Sequence, residues 1–155
     1  MEIRFAKAQD VPGMIKLLQH SGKVHHAGRP DLFRTNAQKY GPSQLLGMLD
    51  KADAPMFVAV EAEKVLGYGI CRIEVFHLHS VMKDCMTLTI DDLYVQEDGQ
   101  DRQIATALYQ RMAEYAKYRG CYNMTMNAWC CDESTMKFCE SLGMKSREIS
   151  MEAIL

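Results

Sequence analysis

Two adjacent carboxylates, Asp91 and Asp92, interrupt the strand-like run "CMTLTIDDLYV" at residues 85–95. Before them Met86, Leu88 and Ile90 alternate with Thr87 and Thr89; after them the apolar residues are Leu93 and Val95. The apolar phase has slipped by one, as it does when a β-bulge inserts an extra residue and re-aims the side chains beyond it. A bulge is therefore expected within residues 90–95. A polar loop with one glycine, Gly99, then leads into a long helix. A helix start leaves about four backbone N–H groups unpaired at the positive end of its dipole, which suits a phosphate. Phosphate cradles usually carry more glycines than this loop, but Arg102 adds charge and small Ala105 permits close approach. His25-His26 and His77-x-His79 are metal-ligand types, and a two-residue spacing on a strand puts His77 and His79 on one side. Loop and strand-end histidines are commonly just polar, and no metal is expected.

Around these residues the apolar periodicity sets out the elements. Residues 2–7 alternate weakly as a first strand. Asp10 can cap a helix in which Val11, Met14, Ile15 and Leu18 share a face, with Pro12 tolerated in the first turn. The polar stretch 21–42 is long for a connector, so it either contains short helices or shapes a binding surface. Residues 43–52 read as a second helix, and residues 55–79 as two strands joined by a tight turn at 62–64. The long helix over about 103–119 presents Ile104, Leu108, Met112, Tyr115 and Ala116, and Gly120 stops it. Strand 121–129 follows, then a short helix capped by Asp132 and ended by Gly143, and residues 144–155 read as a closing strand. The order β-α-α-β-β-β-α-β-α-β is that of one α/β sheet with helices on its faces.

Composition narrows the partners. At 155 residues the chain is most simply one domain, and its net charge of -2 provides no basic field for nucleic acid. No apolar run reaches the roughly 20 residues needed to span a bilayer, so no membrane role is expected. The N-terminus is charged from its second residue and lacks an apolar core, unlike a signal peptide. A cytoplasmic location follows as the expectation, with the six cysteines (Cys71, Cys85, Cys121, Cys130, Cys131, Cys139) read as reduced thiols. They form no CxxC pairs that would suggest structural zinc.

The segment from Ile90 to Lys145 resembles the core of the GNAT acetyltransferase superfamily. Leu93-Tyr94-Val95 match its strand end. Gln100 and Ala105 match the ends of its Q/R-x-x-G-x-G/A loop, with Gln103 in place of the middle glycine. Ala107, Leu108 and Gly120 continue the match, and Trp129 and the run 138–143 fit its late segment. Asp132 stands where an asparagine is usual, Cys139 where a tyrosine is usual, and Met144 where a phenylalanine is usual. The resemblance implies a mixed, largely antiparallel central sheet flanked by helices and splayed at the bulge, forming one acyl-CoA N-acyltransferase domain over residues 1–155.

It also implies a function: transfer of an acetyl group from acetyl-CoA to a primary amine, directly in a ternary complex. Cofactor contacts are implied for Leu93, Tyr94, Val95, Gln100, Asp101, Arg102, Gln103, Ile104, Ala105, Thr106, Asp132, Phe138 and Cys139. A splayed strand at 93–95 would offer backbone groups to the pantetheine amides, and one N–H could polarise the thioester carbonyl. At Gln103, either the backbone needs a positive φ and strain results, or it does not and the amide can donate to phosphate. Amine acylation needs a base. Asp91 or Asp92 is the first candidate, or else both are a polar pair ending the strand register; Glu74 on the neighbouring strand is either the second candidate or a solvated face residue. The thiolate donor expected of the family is missing at Cys139, leaving water, Tyr94 or Tyr109. The histidine pairs are expected to line the acceptor pocket, and Trp129 the core or the pocket wall. The acceptor is a small-molecule or peptide amine, and a homodimer is left open. Two other readings stand beside this one: a CoA-binding module of the same fold with little or no turnover, and a nucleotide- or phosphate-binding protein, which the absence of GxxxxGK and GxGxxG disfavours.

Overall fold

Alternating apolar residues build the sheet, and the bulge decides where it opens. The computed structural model describes residues 1–96, 101–130 and 132–155. Its elements are β1 (Glu2–Phe5), a 3-10 turn (Ala8–Asp10), α1 (Val11–Gly28), α2 (Pro42–Met48), β2 (Met56–Glu61), β3 (Lys64–Phe76), β4 (Cys85–Val95), α3 (Asp101–Tyr118), β5 (Asn123–Met126) and α4 (Glu133–Ser141). The five strands lie in the order β1-β2-β3-β4-β5. The first three pairings are antiparallel, and β4 pairs with β5 in parallel. A parallel neighbour needs a crossover, and α3 supplies it.

Each face of the sheet carries its own core. On one, Val58, Val60, Tyr68 and Ile70 pack with Met14, Leu17 and Leu18 of α1 and Leu45 of α2. On the other, Phe57, Ala59, Cys71, Leu88 and Ile90 pack with Ile104, Leu108, Met112 and Ala116 of α3. Covering both faces explains the unbroken apolar run of β2. The turn between β2 and β3 holds Ala62 and Glu63 at φ 46° and 63°, the two left-handed residues of a tight hairpin turn.

The bulge falls where the phase slip puts it. Ile70 pairs with Asp92 and Cys71 with Ile90, so Asp91 is the extra residue. Leu88 and Ile90 before it, and Leu93 and Val95 after it, all face α3. Without the insertion Leu93 and Val95 would turn away from that core.

Several boundaries differ from the sequence reading. β1 and β5 are shorter than expected, α1 continues to Gly28, and α3 starts at Asp101. His25 and His26 lie in the last turn of α1, where the dipole favours cations. Residues 144–155 form no strand; their side chains are exposed apart from the half-buried Met144, and among the described residues β4 is the only strand beside β5. A period-2 pattern predicts a strand only if an edge is there to receive it.

Asp10 does not cap α1 with its side chain. Its carboxylate turns back to accept the Lys7 N–H at 2.7 Å and both Arg4 Nη1 and Nη2 at 2.7 and 3.0 Å. Burial pushes its pKa up, but the bonds from Arg4 and Lys7 outweigh burial and hold it below the ordinary value of 3.8. The pair therefore stabilises the fold above that pH and loses its effect as pH falls through the lowered value. Asp10→Ala strands Arg4, whose side chain is only 16% exposed, and should cost about 3 kcal/mol in urea denaturation at neutral pH.

Candidate active site

Pairing between β4 and β5 stops at Ile90 and Met126, one residue before the bulge. β4 runs on to Val95 against β3 alone, so its other edge opens into a cleft of about 1090 Å³. Six segments wall that cleft: α1, the loop 33–39, the end of β4, the start of α3, Met126 at the end of β5 with residues 127–129 after it, and the start of α4. The loop is drawn onto α1 at Gly22, where a Cβ would stand 1.9 Å from the Ala37 carbonyl oxygen. Only a residue without a side chain permits this approach.

Asp91 and Asp92 both line the cleft, in different electrostatic states. Lys39 Nζ contacts Asp91 Oδ2 at 2.9 Å and the Asp91 carbonyl at 2.6 Å; Arg72 Nη2 lies 3.3 Å from Oδ1, and the Tyr40 hydroxyl donates to Oδ2. Burial acts to raise the Asp91 pKa, but the Tyr40 and Lys39 bonds and the two cations hold it below the usual carboxylate range. Asp91 is thus a fixed anion that ties the 29–41 loop to the bulge. At Asp92 burial dominates: it pushes the pKa up despite the charges of Lys39 and His25 and the proximity of Tyr68, and Asp91 adds to the rise. The fully buried Tyr68 hydroxyl faces Asp92 and Ser21 without reaching either at hydrogen-bond geometry. One carboxyl is locked as an anion and its neighbour is poised to take up a proton, the divergence that separates the roles of paired acids.

Ten of the residues expected to contact the co-substrate or to act in catalysis line this cleft: Asp91, Asp92, Leu93, Tyr94, Val95, Asp101, Arg102, Ala105, Asp132 and Phe138. Asp132 accepts from the Thr135 N–H at 3.0 Å and the Thr135 hydroxyl at 2.6 Å, capping α4. The others stand elsewhere. Glu74 accepts from the Thr89 hydroxyl at 3.1 Å and does not line the cleft. Ile104 buries its side chain in the core under α3, and the Thr106 hydroxyl donates to the Arg102 carbonyl at 2.8 Å. Gln103 lies exposed in the first turn of α3 and is not among the residues with positive φ, so the strain expected of a glycine replacement does not arise. Gln100 lies outside the described residues.

Cys139 is half-buried behind Phe138 and is not a cleft residue. Burial raises its thiol, and it sits close enough to Tyr109 to raise that phenol after burial has done so. Of the histidines, His25 lines the cleft, its ring 5.2 Å from that of Phe33, which meets Trp129 at the same separation. His26 Nδ1 bonds the Phe33 carbonyl at 2.7 Å. His77 and His79 do not line the cleft: His77 pairs with Asp84 at 2.7 Å, and His79 accepts backbone N–H groups of its own turn. Among the described residues no three His, Cys, Asp or Glu side chains gather to hold a metal, and no helix is long and apolar enough to cross a membrane. Lys39, Tyr40, Arg72 and Tyr68 escaped the sequence reading; the only signal for the first two was the length of the polar stretch that contains them.

A central sheet opened at a bulge, with a helix start facing the opening, is the mixed α/β architecture that the family resemblance implies. Residues 22–144 match the model of the acetyltransferase (GNAT) family, and the chain belongs to that family. Its chemistry is accordingly acyl transfer. The fold is similar to a tetramutant of the BH1408 protein of Bacillus halodurans, at 26% identity and TM-score 0.93 over 100% of both chains. It is also similar to an aminoglycoside acetyltransferase from an uncultured soil metagenomic sample, solved with sisomicin: 18% identity and TM-score 0.72 over 99% of this chain and 95% of that one. No functionally curated protein matches the chain.

Proposed function

We propose that the protein is an N-acetyltransferase that moves the acetyl group of acetyl-CoA onto a primary amine by direct transfer within a ternary complex. The observation that carries this reading is the bulge at Asp91, which ends β5 pairing and places the poised Asp92 carboxyl in the same cleft as the start of α3. The groups present suit acetyl-CoA as a co-substrate. The strand edge that β5 leaves open can receive an extended amide chain, and the first turn of α3, with Arg102 beside it and Ala105 small, can receive a pyrophosphate.

Asp92 takes the ammonium proton, directly or through water, so that the neutral nitrogen can attack the thioester carbonyl. The N–C bond forms as the C–S bond breaks, and backbone N–H groups near the bulge favour the charge that develops on the carbonyl oxygen. The departing thiolate takes its proton from Tyr94 or from water. Asp91 does not take part in proton transfer; it holds Lys39 and Tyr40 and so fixes the acceptor side of the cleft.

The first test is binding. Acetyl-CoA at 100 times its Kd should stabilise the protein by roughly 2.7 kcal/mol, read as a rise in melting temperature larger than acetate or adenosine produces. An unchanged melting temperature at millimolar acetyl-CoA would reject the reading. The second test is free CoA release over a panel of amines. A second reading, CoA binding without turnover, is favoured by the half-buried Cys139 at the family's tyrosine position; stabilisation by acetyl-CoA with no release for any amine would select it.

A further inference from the structure

Three rings form a chain along the acceptor side of the cleft. His25 meets Phe33 at 5.2 Å between ring centroids, and Phe33 meets Trp129 at 5.2 Å with the planes 85° apart. The rings come from α1, the loop after it and the residues after β5, and all three line the cleft. Edge-to-face contact is a preferred aromatic geometry, so the rings hold one another in place. They are not covered: Trp129 is 42% exposed, and Val24, which also lines the cleft, is 46% exposed. Open aromatic and apolar surface inside a cleft is the lining of a small-molecule site. The chain of rings also ends near the base, because His25 is close enough to Asp92 for its charge to act on that carboxyl.

Charge narrows the ligand further. Among the described residues four carboxylates line the cleft: Asp91, Asp92, Asp101 and Asp132. Asp91 already holds Lys39 at 2.9 Å and Arg72 at 3.3 Å. Asp132 accepts from the Thr135 N–H and hydroxyl as the cap of α4. Asp101 stands in the first turn of α3, at the co-substrate end. Asp92 remains, and it is the group that takes the proton. The loop wall adds Arg34 and Lys39, both cations. Of these four carboxylates none is left to receive a second ammonium, and a charge brought into a cleft without a partner is costly.

Resting on the acetyltransferase reading above, we propose that the acceptor is an arylalkyl monoamine whose ring packs on Phe33 and Trp129 while its single amine reaches Asp92. Phe33 and Trp129 are then specificity residues: they touch the body of the amine and leave the reacting atoms to the bulge. Polyamines are turned away by the same site, since their further ammonium groups find Arg34 and Lys39 where they need anions.

Free CoA release is measured with phenethylamine, ethylamine and spermidine at saturating acetyl-CoA. The kcat/KM for phenethylamine should exceed the other two by about tenfold or more, the scale of burying an aromatic side group. Trp129→Ala should remove most of that preference by raising the KM for phenethylamine, and Trp129→Phe, which keeps a ring, should restore it. Phe33→Leu, which keeps an apolar side chain, should lower the preference in the same way. Spermidine or ethylamine turned over as well as phenethylamine overturns the proposal alone, because the acetyltransferase reading then stands. Variants that slow all three amines equally, or that raise the KM for acetyl-CoA and keep the preference, overturn it too: the rings then serve the cleft's shape or the co-substrate. Release with no amine at all overturns the proposal together with the reading it rests on.

Discussion

Asp92→Asn should lower turnover by about 10²–10⁴-fold, the usual contribution of a positioned general base, while acetyl-CoA still raises the melting temperature as it does in the wild type. The pH profile separates this role from a structural one. Burial raises the Asp92 pKa above the ordinary value of 3.8. A base must be deprotonated to act, so wild-type kcat/KM should rise with pH as Asp92 ionises, and that limb should vanish in the variant. Stability should move the opposite way. A carboxyl whose folded pKa is raised contributes stability that is fully present below 3.8 and is lost as pH rises through the raised value. Asparagine removes that loss, so the slow enzyme should melt higher than the wild type at neutral pH. Site groups kept at a cost in stability are common where they serve function. A variant with wild-type kcat, or one that melts lower at neutral pH, would remove Asp92 from the base role.

Gly22→Ala should lower kcat/KM for the amine by about 10²-fold, the scale of loss when a catalytic cleft is misplaced by about an ångström. The added Cβ would meet the Ala37 carbonyl oxygen at 1.9 Å, and backbone cannot yield as a side-chain end can. The loop must move outward, and with it Lys39 and Tyr40, whose bonds to Asp91 fix the acceptor side. The stability change should be small, because alanine gains about 1 kcal/mol of helix propensity over glycine against an overpacking cost of about 1–3 kcal/mol. Acetyl-CoA should still stabilise the variant, since the edge of β4 and the start of α3 lie across the cleft from this contact. Unchanged kcat/KM with every amine accepted by the wild type would mean that the loop does not shape the acceptor site.

The bulge was legible because side-chain direction in a strand has a period of two, so a single inserted residue leaves its mark in the order of apolar residues at 86–95. The same logic located α3 and its buried face, for helical periodicity shows wherever one stripe meets a core. The family resemblance was legible for a related reason: Leu93-Tyr94-Val95 and the start of α3 lie close together in the chain, so the segments that carry the resemblance can be read as one stretch. The acceptor side is different in kind. Lys39 and Tyr40 reach Asp91 across 52 and 51 positions of sequence, and nothing local in a polar loop says which carboxylate it will meet.

Local pattern also could not rank the two aspartates. They are neighbours of one residue type, and their opposite pKa shifts come from what surrounds each: two cations and a phenol around Asp91, and burial above all at Asp92. Nor could it tell that the expected closing strand at 144–155 finds no strand partner among the described residues, since alternation records a side-chain preference while pairing needs an edge at the right place. The sequence by itself determined most of the elements and the bulge, because those depend on residues close together along the chain. Only the tertiary structure decided which carboxyl is free to take a proton and which residues close the acceptor cleft, because charge, burial and contact are set by neighbours that folding brings from far away.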